Sequence, residues 1–341
     1  MLICILLSMA LPVSAMEFTA PTVPEDVEEL MPAEQDSFAA GLWKVLTRAV
    51  GVLQPKTAEA ARLCVSLIAI AILTAMLRQL PGGSNHIVEL VGCIAVACLL
   101  LSRTDTMIRL GSETVARISD YGRLLLPVLT GAMAAQGAVT SSAALYAGTA
   151  AFDAILSEGI HRLLVPMVYM YLVLSVAACA VGDSLIGKLR DLIKGLLSWG
   201  LKLILYIFTG YMSITGVVSG ATDAAAMKAA KLTISGMVPV VGGILSDASE
   251  SVIVGVGVMK SAAGIYGLLA ILSIWIMPFL ELGIQYLLLK LTAAVCAVFD
   301  VKQVSALMKA FSAAMGLLLA MTGAVCFLLL ISIVCFLKGV G

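Results

Sequence analysis

Apolar runs of about twenty residues recur along the 341-residue chain, separated by short polar stretches. As a helix, a run of that length crosses a hydrocarbon layer about 30 Å thick. The pattern predicts spanning helices at about 63–80, 87–102, 163–182, 198–219, 265–289 and 313–337. Three segments between them, 104–123, 184–197 and 301–312, have amphipathic helical spacing instead. In the second, Leu185, Leu189, Leu192, Ile193 and Leu196 share one helical face, and Lys188, Arg190, Asp191 and Lys194 lie elsewhere. That is the pattern of a helix lying in the interface, with a polar loop between two spans as the alternative.

Two further apolar stretches are poorly built for crossing. Residues 124–150 hold Pro127 and Gly131 ahead of a Thr-Ser-Ser triplet, and residues 237–259 hold Pro239, Gly242 and Gly243 ahead of a polar segment with Asp247 and Glu250. Backbone groups freed by proline and glycine find no partner in hydrocarbon, so both stretches are expected as broken, re-entrant hairpins sheltered by protein or water. Pro127 and Pro239, Gly131 and Gly243, and Pro166 and Pro278 are each 112 residues apart, and CAVGD at Cys179–Asp183 returns as CAVFD at Cys296–Asp300. Two copies of one unit follow: broken hairpin, span kinked by Pro166 or Pro278, interfacial helix, span. Matching breaks in two repeats point to a transport or ion path, against chance similarity in Ala/Gly/Val-rich sequence. The domains are then a signal peptide (1–15), an acidic arm (16–62), a two-helix hairpin (63–102) and two membrane repeats (103–219 and 220–341).

Composition makes the bilayer the solvent of this chain. Hydrophobic residues form 61% and charged residues 12%, with a mean hydropathy of +1.08, whereas soluble domains are about 25% charged. The 21 basic and 21 acidic side chains cancel, so no global field draws nucleic acid. All eight cysteines lie in apolar stretches without CxxC spacing and read as small core or lipid-phase residues. His86 and His161 are far apart, and neither HExxH, a phosphate-binding glycine loop nor a dinucleotide fingerprint occurs. No metal, cofactor or catalysis is expected.

The first fifteen residues have an apolar core and small residues, Val13 and Ala15, before Met16. This is the form of a signal peptide without its usual preceding cation, a first anchor helix being the alternative. Either way the acidic arm starts outside. If both broken stretches re-enter from there, Arg78, Lys188, Arg190, Lys194, Lys202, Lys290, Lys302 and Lys309 collect on the cytoplasmic side, as positive-inside bias requires. If both cross, the basic helices after residues 182 and 300 face outward. Lys231, Asp247, Glu250 and Lys260 surround the second stretch and suit ion pairs, a polar pore lining or a plain outer loop. Asp183 and Asp300 suit N-caps of the following helices, with proton binding as the alternative.

Residues 231–267 contain, in order, Lys231 with Ser235 and Gly236, PVVGG at Pro239–Gly243, SDAS at Ser246–Ser249, and Lys260 with Gly264. This string resembles the stage III sporulation protein AE family of endospore-forming bacteria, whose plan of signal peptide, acidic arm and polytopic membrane body also agrees. The resemblance implies a component of a secretion-like channel complex joining the mother cell to the engulfed forespore. It implies as partners the other stage III sporulation A-operon proteins and a forespore-side channel protein, and a place in the mother-cell membrane around the forespore. It implies no catalytic or ligand-binding residues. A non-conducting scaffold of that complex and a secondary transporter of a small solute are the alternatives.

Overall fold

The computed structural model describes residues 21–31, 38–79, 85–135, 139–182, 184–214 and 262–339. Among them all regular structure is helical: α1 (Glu25–Glu28), α2 (Phe38–Arg78), α3 (Asn85–Ala135), α4 (Val139–Gly159), a π turn (Ile160–Leu164), α5 (Val165–Val181), α6 (Ser184–Ile214), α7 (Ala262–Val298) and α8 (Lys302–Gly339). Six helical stretches are long and apolar enough to cross a membrane, which agrees with an all-α, multi-pass membrane protein.

The boundaries differ from the periodicity reading. α3 fuses the span at 87–102, the amphipathic segment 104–123 and the start of the first broken stretch into one 51-residue helix. α6 likewise joins 184–197 to the span after it, and α8 joins 301–312 to the last span. A change in which face is apolar does not end a helix; a breaker does, and no proline stands at these junctions. Pro127 does stand in α3, yet the helix runs through Pro127 and Gly131 to Ala135. The expected break at these two residues is therefore corrected. One proline removes one backbone hydrogen bond, a loss that a helix packed among neighbours tolerates. The chain reverses after Ala135, where α4 begins at Val139. Pro278 is likewise interior to α7.

α8 is the axis of the bundle: 94% of its apolar window is buried. α7 runs antiparallel to it, with Ser312 Oγ donating to the Tyr286 carbonyl (3.0 Å) and Ser305 Oγ to the Ala293 carbonyl (2.8 Å). α3 lies parallel to α8 and packs it through glycines: Leu318 covers Gly111, and Leu329 covers Gly122. The path of α4 and α5 returns along α3, and α6 folds back along them with Phe208 against Phe152 (5.4 Å). α2 flanks α7 in parallel, held by Lys56 to Glu281 (2.5 Å).

Exposed large apolar side chains form a girdle at one end of this bundle, among them Val65 and Leu73 on α2, Ile87 and Val91 on α3, Val173 on α5 and Leu291 on α7, while Trp43, Val50, Leu124 and Leu163 are exposed beyond it. Ion pairs bound the girdle. On one rim Arg103 meets Glu59 (3.0 Å) and Arg109 meets Asp105 (2.9 Å). On the other, Arg78 meets Glu89 (3.0 Å) and donates to the Asp300 carbonyl (2.7 Å). From Glu59 to Arg78 along α2 is about 28 Å at 1.5 Å per residue, close to the hydrocarbon thickness of about 30 Å. Beyond the first rim α3 exposes Arg109, Glu113, Arg117, Asp120 and Arg123, charges that lipid tails cannot solvate. The girdle thus has the depth of a hydrocarbon layer, and α3, at 51 residues, is longer than that layer is thick.

A Cβ on Gly122 would lie 2.7 Å from Leu329, whereas one on Gly187 would meet nothing within 4 Å. Gly122→Val is expected to destabilise the bundle by about 1–3 kcal/mol through overpacking. Gly187→Ala is expected to be neutral or stabilising by up to about 1 kcal/mol through helix propensity. Denaturant unfolding in detergent, followed by helical circular dichroism, checks both.

Candidate functional site

One end of the bundle holds two of the described candidate residues, Pro127 and Gly131. Here α3 turns into α4, α7 begins and α8 ends. Pro127 is exposed and Gly131 half-buried near the tip. Leu125 of the same turn of α3 fills the space beside Gly267 of α7, where a Cβ would lie 2.6 Å from its methyl carbon. Close approach thus joins the hairpin tip to the helix that follows the second candidate stretch. That stretch, with Lys231, Pro239, Gly242, Gly243, Asp247, Glu250 and Lys260, lies outside the described residues.

Below the tip, α3 is tied to its returning partner by side chains at seven-residue steps. Tyr169 Oη donates to Asp105 (2.7 Å), Ser112 bonds His161 Nδ1 (2.9 Å), and Ser119 Oγ donates to Asp153 (3.0 Å). The returning path advances eight residues per step, and the π turn at Ile160–Leu164 takes up extra length within it. Pro166 stands at the start of α5 directly after that turn. Its missing N–H and bulky ring disfavour an ordinary i to i−4 turn before it, so the irregularity assigned to Pro166 falls ahead of the proline. Deeper still, Thr149 Oγ1 donates to Ser332 Oγ of the axial helix (3.0 Å), both fully buried. Asp153 is only 3% exposed. Its carboxylate with Ser119, and Thr149 with Ser332, are buried polar pairs that form a seam between helices.

Chemically the seam joins helices. Hydroxyls meet the carboxylates of Asp105 and Asp153 and the imidazole of His161. Among the described residues no three His, Cys, Asp or Glu side chains converge as metal ligands. A lateral apolar groove of about 430 Å³ opens between α2 and α7, lined by Thr57, Ala58, Ala61, Ile284, Leu287 and Leu288. It sits by the girdle rim and contains none of the expected pathway residues.

Three features escaped the sequence. Cys93 of α3 and Cys179 of α5 form a disulfide (Cα–Cα 6.3 Å), which corrects the reading of all eight cysteines as plain core residues. Partners 86 residues apart leave no local motif. The acidic arm is docked over residues 21–31: Arg48 donates to the Glu29 and Met31 carbonyls (both 2.9 Å), while Val27 and Leu30 are buried. The alternation of Val27 and Leu30 with acids masked that docking face. Asp300 closes α7 in the left-handed conformation (φ 55°), and the first turn of α8 instead bonds Ser305 N–H to the Val301 carbonyl (3.0 Å). It is therefore no N-cap. Asp183 lies outside the described residues.

These features define a helical protein of the multi-pass membrane class. The family described as stage III sporulation protein AE matches residues 26–339, and the chain belongs to that family. The stage III sporulation protein AE of Bacillus subtilis (strain 168) is 23% identical over 197 residues, covering 58% of this chain and 49% of that protein. The chain thus matches about half the length of that curated relative. No solved structure matches.

Removing the Ser119 hydroxyl leaves the Asp153 carboxylate buried without this donor. Ser119→Ala is expected to cost about 1–3 kcal/mol, and the double variant Ser119→Ala/Asp153→Leu to recover most of it, because both polar groups then go. Unfolding of the three proteins in detergent measures the pattern.

Proposed function

We propose that the chain is a membrane component of a sporulation complex that joins mother cell and forespore as a secretion-like channel and sustains forespore development. The observation that carries this reading is membership of the stage III sporulation protein AE family along nearly the whole chain. Its partners in this reading are the other stage III sporulation A-operon proteins and a forespore-side channel protein, and its place is the mother-cell membrane around the forespore. It works without catalysis.

The leader and the positive-inside bias orient the bundle. Arg78, Lys188 and Lys302, toward the far end of the girdle, then face the mother-cell cytoplasm, and the charged bundle enters the space between the two membranes. In this placement the α3–α4 hairpin stands outside the lipid and does not re-enter it. The stretch at 237–259 is its proposed repeat. Support for the repeat comes from two tight reversals, α5 into α6 and α7 into α8, at the CAVGD and CAVFD strings. The second copy of the pattern supplies the buried axis and the first an outer layer.

The burial of α8 among apolar neighbours supports a path that runs between chains, or beside the outer tip, rather than along the bundle axis. The same burial favours, as a second reading, a scaffold without a pore of its own. Deleting the gene in its endospore-forming host is expected to arrest forespore development after engulfment, with rescue by the intact gene. Normal spores from the deletion strain contradict the sporulation role. Gly131→Leu separates the two readings. A channel component loses forespore support with protein level and partner recovery unchanged, whereas a scaffold loses function only in step with either.

A further inference from the structure

The first rim of the girdle carries two cations that meet no acid. Arg103, Arg109 and Lys56 there each pair with a carboxylate, and Arg78 and Lys302 at the other rim do the same. Lys290 of α7 is exposed and donates instead to Tyr286 Oη (3.2 Å), its ammonium 5.3 Å from the centre of that ring. Lys309 of α8 is exposed and has no bonding partner among the described residues.

The two lysines are neighbours. The Ser312–Tyr286 and Ser305–Ala293 bonds fix the antiparallel register of α7 and α8, and that register sets Lys290 opposite Met308, beside Lys309. Each lysine stands one turn along its own helix from the Ser312–Tyr286 bond, on the outer edge of the contact. Their depth follows from α3. Leu318 of α8 covers Gly111 in the parallel pair, which puts Lys309 level with Ser102, next to Arg103 of the first rim. The lysines are therefore at the rim opposite Arg78 and Lys302, with which sequence alone grouped them. Beside them an apolar chain has room: Leu287, one turn before Lys290, lines the groove of about 430 Å³ with Ile284, Leu288 and, from α2, Thr57, Ala58 and Ala61.

We propose that Lys290, Lys309 and Tyr286 bind the phosphate of one anionic phospholipid, an acyl chain of which lies over Leu287 in the α2–α7 groove. A single lysine at a membrane surface needs only its stem in the apolar layer and its ammonium among the headgroups. Two adjacent ammonium groups repel each other, and an anion between them turns that repulsion into attraction. No carboxylate of the described chain supplies that anion, and at the edge of the hydrocarbon a lipid phosphate does. The Tyr286 hydroxyl, which accepts from Lys290, keeps its own proton to donate to a phosphate oxygen. A zwitterionic lipid presents the same phosphate with a quaternary ammonium that the two lysines repel, and a free phosphate brings no chain for the groove. The site is a property of this geometry and holds whether or not the sporulation reading does.

The test is lipid retention by the full-length chain, purified in mild detergent and exchanged with an equal mixture of phosphatidylglycerol and phosphatidylcholine. The unmodified protein is expected to keep phosphatidylglycerol several-fold over phosphatidylcholine, with the bound lipid undisturbed by inorganic phosphate. Lys290→Gln/Lys309→Gln is expected to lose that preference with unchanged helical circular dichroism, and Lys302→Gln, at the other rim, to keep it. Equal retention of the two lipids, displacement by inorganic phosphate, an unchanged preference in the double variant or an equal loss in Lys302→Gln each overturn the proposal. A photoactivatable phosphatidylglycerol on the unmodified chain gives an independent readout that needs no variant. Its cross-links are expected at residues 286–290 and 306–309, and cross-links spread evenly around the girdle also overturn the proposal.

Discussion

Hydrocarbon accepts apolar side chains for about 30 Å and strongly disfavours unpaired charge within that depth. This constraint organises the molecule. Its helices run to 51 residues, far longer than the lipid layer, and so each must be solvated differently at its two ends. The girdle between the Arg103–Glu59 and Arg78–Glu89 pairs meets lipid tails. Outside it the helices keep an apolar inner face, and α3 turns arginine and glutamate outward. The bundle is therefore continuous across two solvents, with one core throughout.

That core is built around α8, whose buried face has no lipid-exposed counterpart along most of its length. Close approach at Gly111 and Gly122 seats α3 on it, and Ser305 and Ser312 fasten α7 to it through backbone carbonyls. The hairpin of α3 with α4 and α5 then carries the polar pairs that set its register. A buried Ser119–Asp153 pair and a Thr149–Ser332 bond specify alignment where apolar contacts alone would allow sliding by a turn. The disulfide between Cys93 and Cys179 pins the base of the same hairpin.

The spans were legible in the sequence because twenty apolar residues admit few other fates. Their joining was not: at residues 102–104, 197–198 and 312–313 the apolar face shifts without a breaker, and the helices simply continue. Pro127 and Gly131 misled in the opposite direction, since helix breakers act only where no neighbour compensates, and α3 is packed there. The tie between Asp153 and Ser119 and the docking of Val27 and Leu30 are long-range facts that no local period encodes. The outward stripe of α6 was visible as Leu185, Leu189, Leu192 and Leu196 together with Ile193. Only the fold separates Ile193, which is buried, from the others, which are exposed.

The division of one bundle between two solvents is open to direct measurement. Nitroxide labels placed singly at Leu73 and at Glu113, in protein reconstituted in liposomes, report contact with oxygen dissolved in lipid and with a water-soluble nickel chelate. The account predicts that the label at 73 is relaxed by oxygen and shielded from nickel, and that the label at 113 shows the reverse. Oxygen-dominated relaxation at 113 would place the arginine- and glutamate-bearing face of α3 in hydrocarbon and contradict the account.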